Sequence, residues 1–265
     1  MNLHVESFGQ GAPLLLIHGW GMHGGVWKHV ATQLAQNFRV HCVDLPGHGF
    51  NVGRDLSRQN IDGINPDLHL DSIVDQLSAQ FNEPLSICGW SLGGQIALRW
   101  AIRYPQQINR LVLVATTPCF VQQPDWPCAM AAETLAEFSV ALQTDYAHTL
   151  RQFVALQMRG SDRERELLAD VRKCLFSHGE PDVAALQHGL EILRDTDMRT
   201  QLIKIAHKSL VIAGERDRLS PLAASAFLAQ TLPAARLVKI AGAAHAPFLS
   251  HPDIFVQHVM DFMHE

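Results

Sequence analysis

Short apolar runs set between helical patterns constrain this chain more than any other feature of its sequence. They cover residues 14–17, 40–43, 85–88, 111–115, 210–213 and 237–240 and are rich in Val, Ile and Leu. Brief runs without polar alternation are how strands buried on both faces of a parallel sheet read. Helical stretches at 26–37, 66–81, 92–104 and 221–232 lie between them, and 252–264 follows the last. Pro221 and Pro252 stand where a first helical turn tolerates proline, because the N–H it lacks has no helical partner there. The alternation predicts an α/β protein with a mostly parallel, doubly wound sheet and right-handed crossovers.

One interval breaks the rhythm. Between Ala115 and Leu210 no strand-like run occurs, and helical patterns appear instead at 130–142, 146–158 and 163–175. An insertion of this kind would cap the carboxyl ends of the strands, where open α/β sheets bind ligands. The expected division is a core of residues 1–117 and 201–265 and a helical cap of 118–200 that shapes a pocket, inserted after the sixth strand. The plainer alternative is a few extra surface helices.

The 265 residues, 47% hydrophobic and 18% charged, fit one domain with a sizeable core. A net charge of -5 argues against a general nucleic-acid binder and gives no membrane-surface signal. The five cysteines have no zinc spacing and imply no disulfide framework, which points to a reducing compartment. The first apolar run, 13–17, is too short for a signal or a membrane span. A monomer in the cytoplasm is expected, with neither nucleic acid nor membrane as partner.

Residues 85–88 run into Gly89-Trp90-Ser91-Leu92-Gly93-Gly94 and then a helix. This is G-x-S-x-G between a strand and a helix, the setting in which the motif marks a nucleophile. The sharp turn lifts the Ser91 hydroxyl above the sheet and aims the Leu92 N–H, at a helix N-terminus, at developing negative charge. A glycine-rich loop whose serine merely caps a helix is the alternative.

Serine needs a base. The chain order Ser, acid, His puts the histidine on a loop after the last strand, and His245 lies there among small residues. His251, directly before Pro252, is its rival. The acid should follow the preceding strand, where Asp217 would orient the imidazole and stabilise its cation; Glu215 is the alternative in the same loop. The loop after the first strand, His18-Gly19-Trp20-Gly21, would supply a second oxyanion amide from Trp20. His18 reads as structural. No metal or organic cofactor is called for: the chain has no H-E-x-x-H and no dinucleotide fingerprint.

His-Gly-Trp-Gly, Asp44-Leu-Pro-Gly-His48-Gly and the Ser91 elbow resemble the α/β-hydrolase superfamily. The elbow, Thr117-Pro-Cys-Phe120 with Asp125-Trp126-Pro127, Phe153-Val-Ala-Leu-Gln157, Gly189-Leu-Glu-Ile-Leu193 and Ala243-Ala-His-Ala-Pro-Phe248 are similar to the pimeloyl-acyl-carrier-protein methyl ester esterases of biotin synthesis. The likeness spans most of the chain, cap included, and departs at a longer polar loop over 54–68. It implies an α/β-hydrolase fold and a carboxylesterase freeing pimeloyl carboxylate and methanol from a carrier-bound methyl ester. It implies Ser91, Asp217 and His245 as the triad, Trp20 and Leu92 as oxyanion donors, and Phe153 lining the acyl channel. It also implies contact with the acidic carrier protein through cap cations, drawn from Arg151, Arg159, Arg163, Arg165, Arg172 and Lys173, with Arg159, Arg163 and Arg165 foremost. Interleaved Asp162, Glu164, Glu166 and Asp170 equally suit a solvated, ion-paired helix. A generalist esterase, a thioesterase, a carbon–carbon hydrolase and a non-catalytic ligand receptor share the same motifs.

Overall fold

The structure, a computed structural model, describes residues 2–53 and 66–265. Seven described strands form one sheet: β1 (Val5–Phe8), β2 (Ala12–Ile17), β3 (Phe38–Val43), β4 (Leu85–Trp90), β5 (Ile108–Val114), β6 (Ser209–Gly214) and β7 (Ala235–Ile240). Their order is β1-β3-β2-β4-β5-β6-β7. All neighbours are parallel except β1, which pairs antiparallel with β3 in a register that sets Val5 opposite Val43. β4 and β6 are buried along their whole length, as their unbroken apolar runs require.

Helices α1 (Lys28–Leu34), α2 (Leu70–Gln80), α3 (Leu92–Arg103), α8 (Leu222–Thr231), the short α9 (Pro247–Ser250) and α10 (Pro252–His264) accompany the sheet. α3 packs on β4 and buries Ile96, Ala97, Trp100 and Ala101, which recur at helical intervals. Pro252 opens α10 as its first residue, and Pro221 immediately precedes α8.

Between β5 and β6 lie four helices: α4 (Ala132–Thr144), α5 (Tyr146–Met158), α6 (Glu164–Leu175) and α7 (Val183–Asp195). Asp145 and Asp182 cap α5 and α7, accepting the His148 and Ala184 N–H groups at 2.9 and 2.8 Å. The insertion follows the fifth described strand, not a sixth: four apolar runs precede it, and the added strand is the half-polar edge β1. Of the 54–68 loop only Pro66–Leu68 is described, as a single tight turn; the rest of that expectation lies outside the described residues.

Main-chain hydrogen bonds tie the inserted helices to loops at the carboxyl ends of the strands. His245 N donates to Gln157 O at 3.2 Å, Asp162 N to Gly242 O at 2.9 Å, and Asp182 N to Gly47 O at 2.8 Å. No helix of the described residues is long and apolar enough to cross a membrane.

Candidate active site

Ser91 sits in the turn from β4 to α3 with φ 55° and ψ -117°. Residues other than glycine rarely hold this conformation, and they do so only where the surroundings force it. Those surroundings are visible: Ser91 N donates to Val114 O at 2.9 Å, and Ser91 O accepts from Thr116 Oγ1 at 2.7 Å. A Cβ on Gly89 would lie 2.3 Å from Gly93 O, and one on Gly93 would lie 2.3 Å from Ile17 O. The chain can make this turn only with bare backbone on both sides of the serine.

His245 follows β7 and is fully enclosed. Its Nδ1 donates to Asp217 Oδ2 at 2.9 Å and lies 3.1 Å from Oδ1. Asp217 Oδ1 also accepts the Leu219 and Ser220 amides at 2.9 and 3.0 Å, which fixes the carboxylate's orientation. With Nδ1 committed to the acid, the imidazole lone pair resides on Nε2. That nitrogen is buried and has no hydrogen-bond partner among the described residues, so a Ser91–His245 hydrogen bond is not formed. The histidine loop is nonetheless fastened to the elbow. Trp90 Nε1 donates to His245 O at 2.8 Å, and the two rings lie 5.8 Å apart.

The rivals are placed elsewhere. Glu215 pairs with Lys239 at 3.3 Å and accepts the Gly242 N–H at 3.3 Å. That amide and the ammonium hold its carboxyl below the usual range. His251 precedes α10 and bonds Ser250 Oγ through Nδ1 at 2.8 Å. His18 is buried, accepts the Leu45 N–H on Nε2 at 3.0 Å and donates from Nδ1 to Gly19 O at 2.8 Å. Burial pulls its pKa down to about 3, so it stays neutral and staples the first loop to the second.

The loop after β2 comes against the elbow: a Cβ on Gly19 would lie 3.3 Å from Ser91 Cβ. Leu92 opens α3, so its N–H has no partner within the helix. The Trp20 amide finds no main-chain acceptor among the described residues. Phe153, on α5, meets the Trp20 ring edge-on at 4.7 Å and the Phe138 ring at 5.4 Å.

The cations of the inserted segment are less uniform. Arg159 and Arg165 are exposed. Arg163, in a left-handed backbone with φ 58°, pairs with Glu166 at 2.5 Å. Lys173 pairs with Asp170 at 3.4 Å, and Arg151 lies over the Phe176 ring at 5.6 Å. His23, Asp44 and His178 place possible metal-ligating atoms within 4.8 Å of one another. Their donors are already engaged: His23 binds Cys174 O and the Gly25 N–H, and Asp44 accepts the Gly24 and Phe50 amides. His178, between α6 and α7, lies with Nδ1 3.5 Å from Asp44 Oδ2, so the cluster ties that connection to the core. The elbow's Thr116 clamp and the contacts of the inserted helices with Trp20 carry no motif of their own and escape sequence reading.

The family described as alpha/beta hydrolase fold matches residues 12–252. The chain belongs to the α/β-hydrolase family. This hydrolase is 43% identical to the "Pimeloyl-[acyl-carrier protein] methyl ester esterase" of Nitrosomonas europaea, across 96% of this chain and 97% of that one. It is 42% identical to the protein of the same name from Chromobacterium violaceum, across 97% and 96%. Among solved structures, an esterase from Exiguobacterium antarcticum superposes with a TM-score of 0.86 at 19% identity, covering 99% of this hydrolase and 96% of that chain. A likeness at that identity speaks for the fold alone.

Proposed function

We propose that this hydrolase is a serine carboxylesterase that cleaves the methyl ester of pimeloyl-[acyl-carrier protein], releasing methanol and the carrier-bound carboxylate in biotin synthesis. In this reading Ser91 attacks the ester carbonyl while His245 Nε2 takes its proton, and Asp217 steadies the resulting imidazolium. The oxyanion rests on the Trp20 and Leu92 amides. His245 then protonates departing methanol, and water repeats the cycle on the acyl-enzyme. Residues 118–200 form the cap, with Phe153 on the acyl channel and Arg159, Arg163 and Arg165 facing the acidic carrier.

The observation that carries the reaction class is the enclosed Asp217–His245 pair, which leaves one unpartnered imidazole nitrogen in a loop fastened to a strained Ser91. The substrate is supported by the relatives' printed name and by coverage that runs through the cap. A panel of free and carrier-bound dicarboxylate monoesters tests it. Methyl ester turnover that vanishes in Ser91→Ala is expected. Preferential cleavage of the carrier thioester would make the chain a thioesterase, and tight binding without turnover would make it a receptor.

A further inference from the structure

Gly189 lies in the interior of α7, where glycine is a poor helix residue and no turn requires it. The reason for it stands across the interface. A Cβ there would come within 2.6 Å of Trp20 Cδ1 and 3.0 Å of Trp20 Nε1, and 3.6 Å from Leu92 Cδ2. The indole has nowhere to retreat. It is 1% exposed, its Nε1 donates to the α7 carbonyl of Leu186 at 2.8 Å, and Phe153 abuts it edge-on. The next residue is held in the same way: Gly21, at φ 71°, would put a Cβ 2.5 Å from Leu150 Cδ2 on α5. The loop of residues 19–21 is thus bedded between two inserted helices, and its one large side chain lies in a notch that only glycine leaves open.

We infer that Gly189, together with the Leu186 carbonyl, is a positioning residue for the reaction. By seating and tethering the Trp20 indole, α7 sets where the Trp20 amide points, and so completes the oxyanion site from the cap side. The inference rests on the esterase reading, because it assigns the Trp20 amide to the oxyanion. It adds that the inserted helices hold part of the catalytic apparatus in place, besides covering the substrate. A side chain at residue 189 would push the indole and tilt the amide away from the developing charge. It would leave the Asp217–His245 pair untouched, since none of its hydrogen bonds involves α7, and it would meet the Leu92 side chain beside Ser91 only at an ordinary van der Waals distance of 3.6 Å.

The test is a two-by-two set on a small methyl ester: wild type, Gly189→Ala, Trp20→Phe and the double variant. Gly189→Ala should lose about tenfold or more in kcat with KM nearly unchanged, because transition-state stabilisation is lost and ground-state binding is not. Phenylalanine is narrower and lacks the Nε1 tether. In the Trp20→Phe background the added methyl should therefore cost less than about threefold, a clear departure from additivity. A Gly189→Ala loss of the same size in both backgrounds, or a loss confined to KM, overturns the inference. So does full activity in Gly189→Ala. If Gly189→Ala does not fold, the comparison of Trp20→Phe with the double variant decides alone, and a drop above about tenfold there rejects the notch. Absence of turnover in the wild type would remove the esterase reading and this inference together; wild-type turnover with an unaffected Gly189→Ala removes only the latter.

Discussion

At the scale of single residues, the acid and its histidine make the sharpest prediction. Asp217→Asn should lower kcat by ~10⁴ while leaving the fold intact, since an amide would favour the wrong imidazole tautomer. Steady-state kinetics beside a circular-dichroism melt would check it, and near-normal rates would hand the role to Glu215. His18 makes a pH prediction. Its pKa falls from 6.5 to about 3 on folding, so the folded chain prefers the neutral ring. Its contribution to stability is complete above 6.5 and drains away as pH falls towards 3, because the unfolded chain takes up the proton first. Buried His23 and His48 shift the same way. Thermal midpoints should therefore decline on the acid side of about pH 6.5, and a flat profile down to about pH 4 would contradict this. Ser91 and the Asp217–His245 pairing were legible in the chain because motif and strand order specify them. The Thr116 hydroxyl and the Leu186 carbonyl were not, because a hydroxyl or a main-chain oxygen gains its role only from what packs against it.

At the scale of elements, the elbow between β4 and α3 combines strain with the proposed nucleophile. Ser91→Gly should be more stable than Ser91→Ala by about 1 kcal/mol, since glycine tolerates the positive φ and gives back part of that gain through its freer unfolded chain. Both variants should be inactive, and equal denaturant midpoints would show the turn to be relaxed. The buried strands were readable because both of their faces are apolar. β1, Val-Glu-Ser-Phe, was not: it is an edge strand of four residues with one neighbour, and half its side chains are polar. With β1 counted, five described strands precede the insertion, one fewer than the expected six. Three of the inserted helices were visible by period. α7 was not singled out there, although its buried Leu186, Leu190 and Leu193 recur at helical intervals.

At the scale of the whole molecule, charge and attachment matter. The chain carries a net charge of -5, yet Arg159 and Arg165 are exposed on the inserted segment. Reversing Arg159, Arg163 and Arg165 should slow turnover of carrier-bound ester far more than that of a free methyl ester, and the difference should shrink in high salt. Equal effects on both substrates would remove the carrier from this face. The architecture as a whole was legible, since alternating strands and helices admit few topologies. The way the inserted helices grip the core was not, because it depends on contacts across more than a hundred residues of chain, such as Trp20 with Leu186. That grip bears on anyone who would redesign the enzyme. A chimaera carrying another relative's helices would import their fit to residue 20 along with their taste in acyl groups, so new selectivity and retained speed would have to be recovered together.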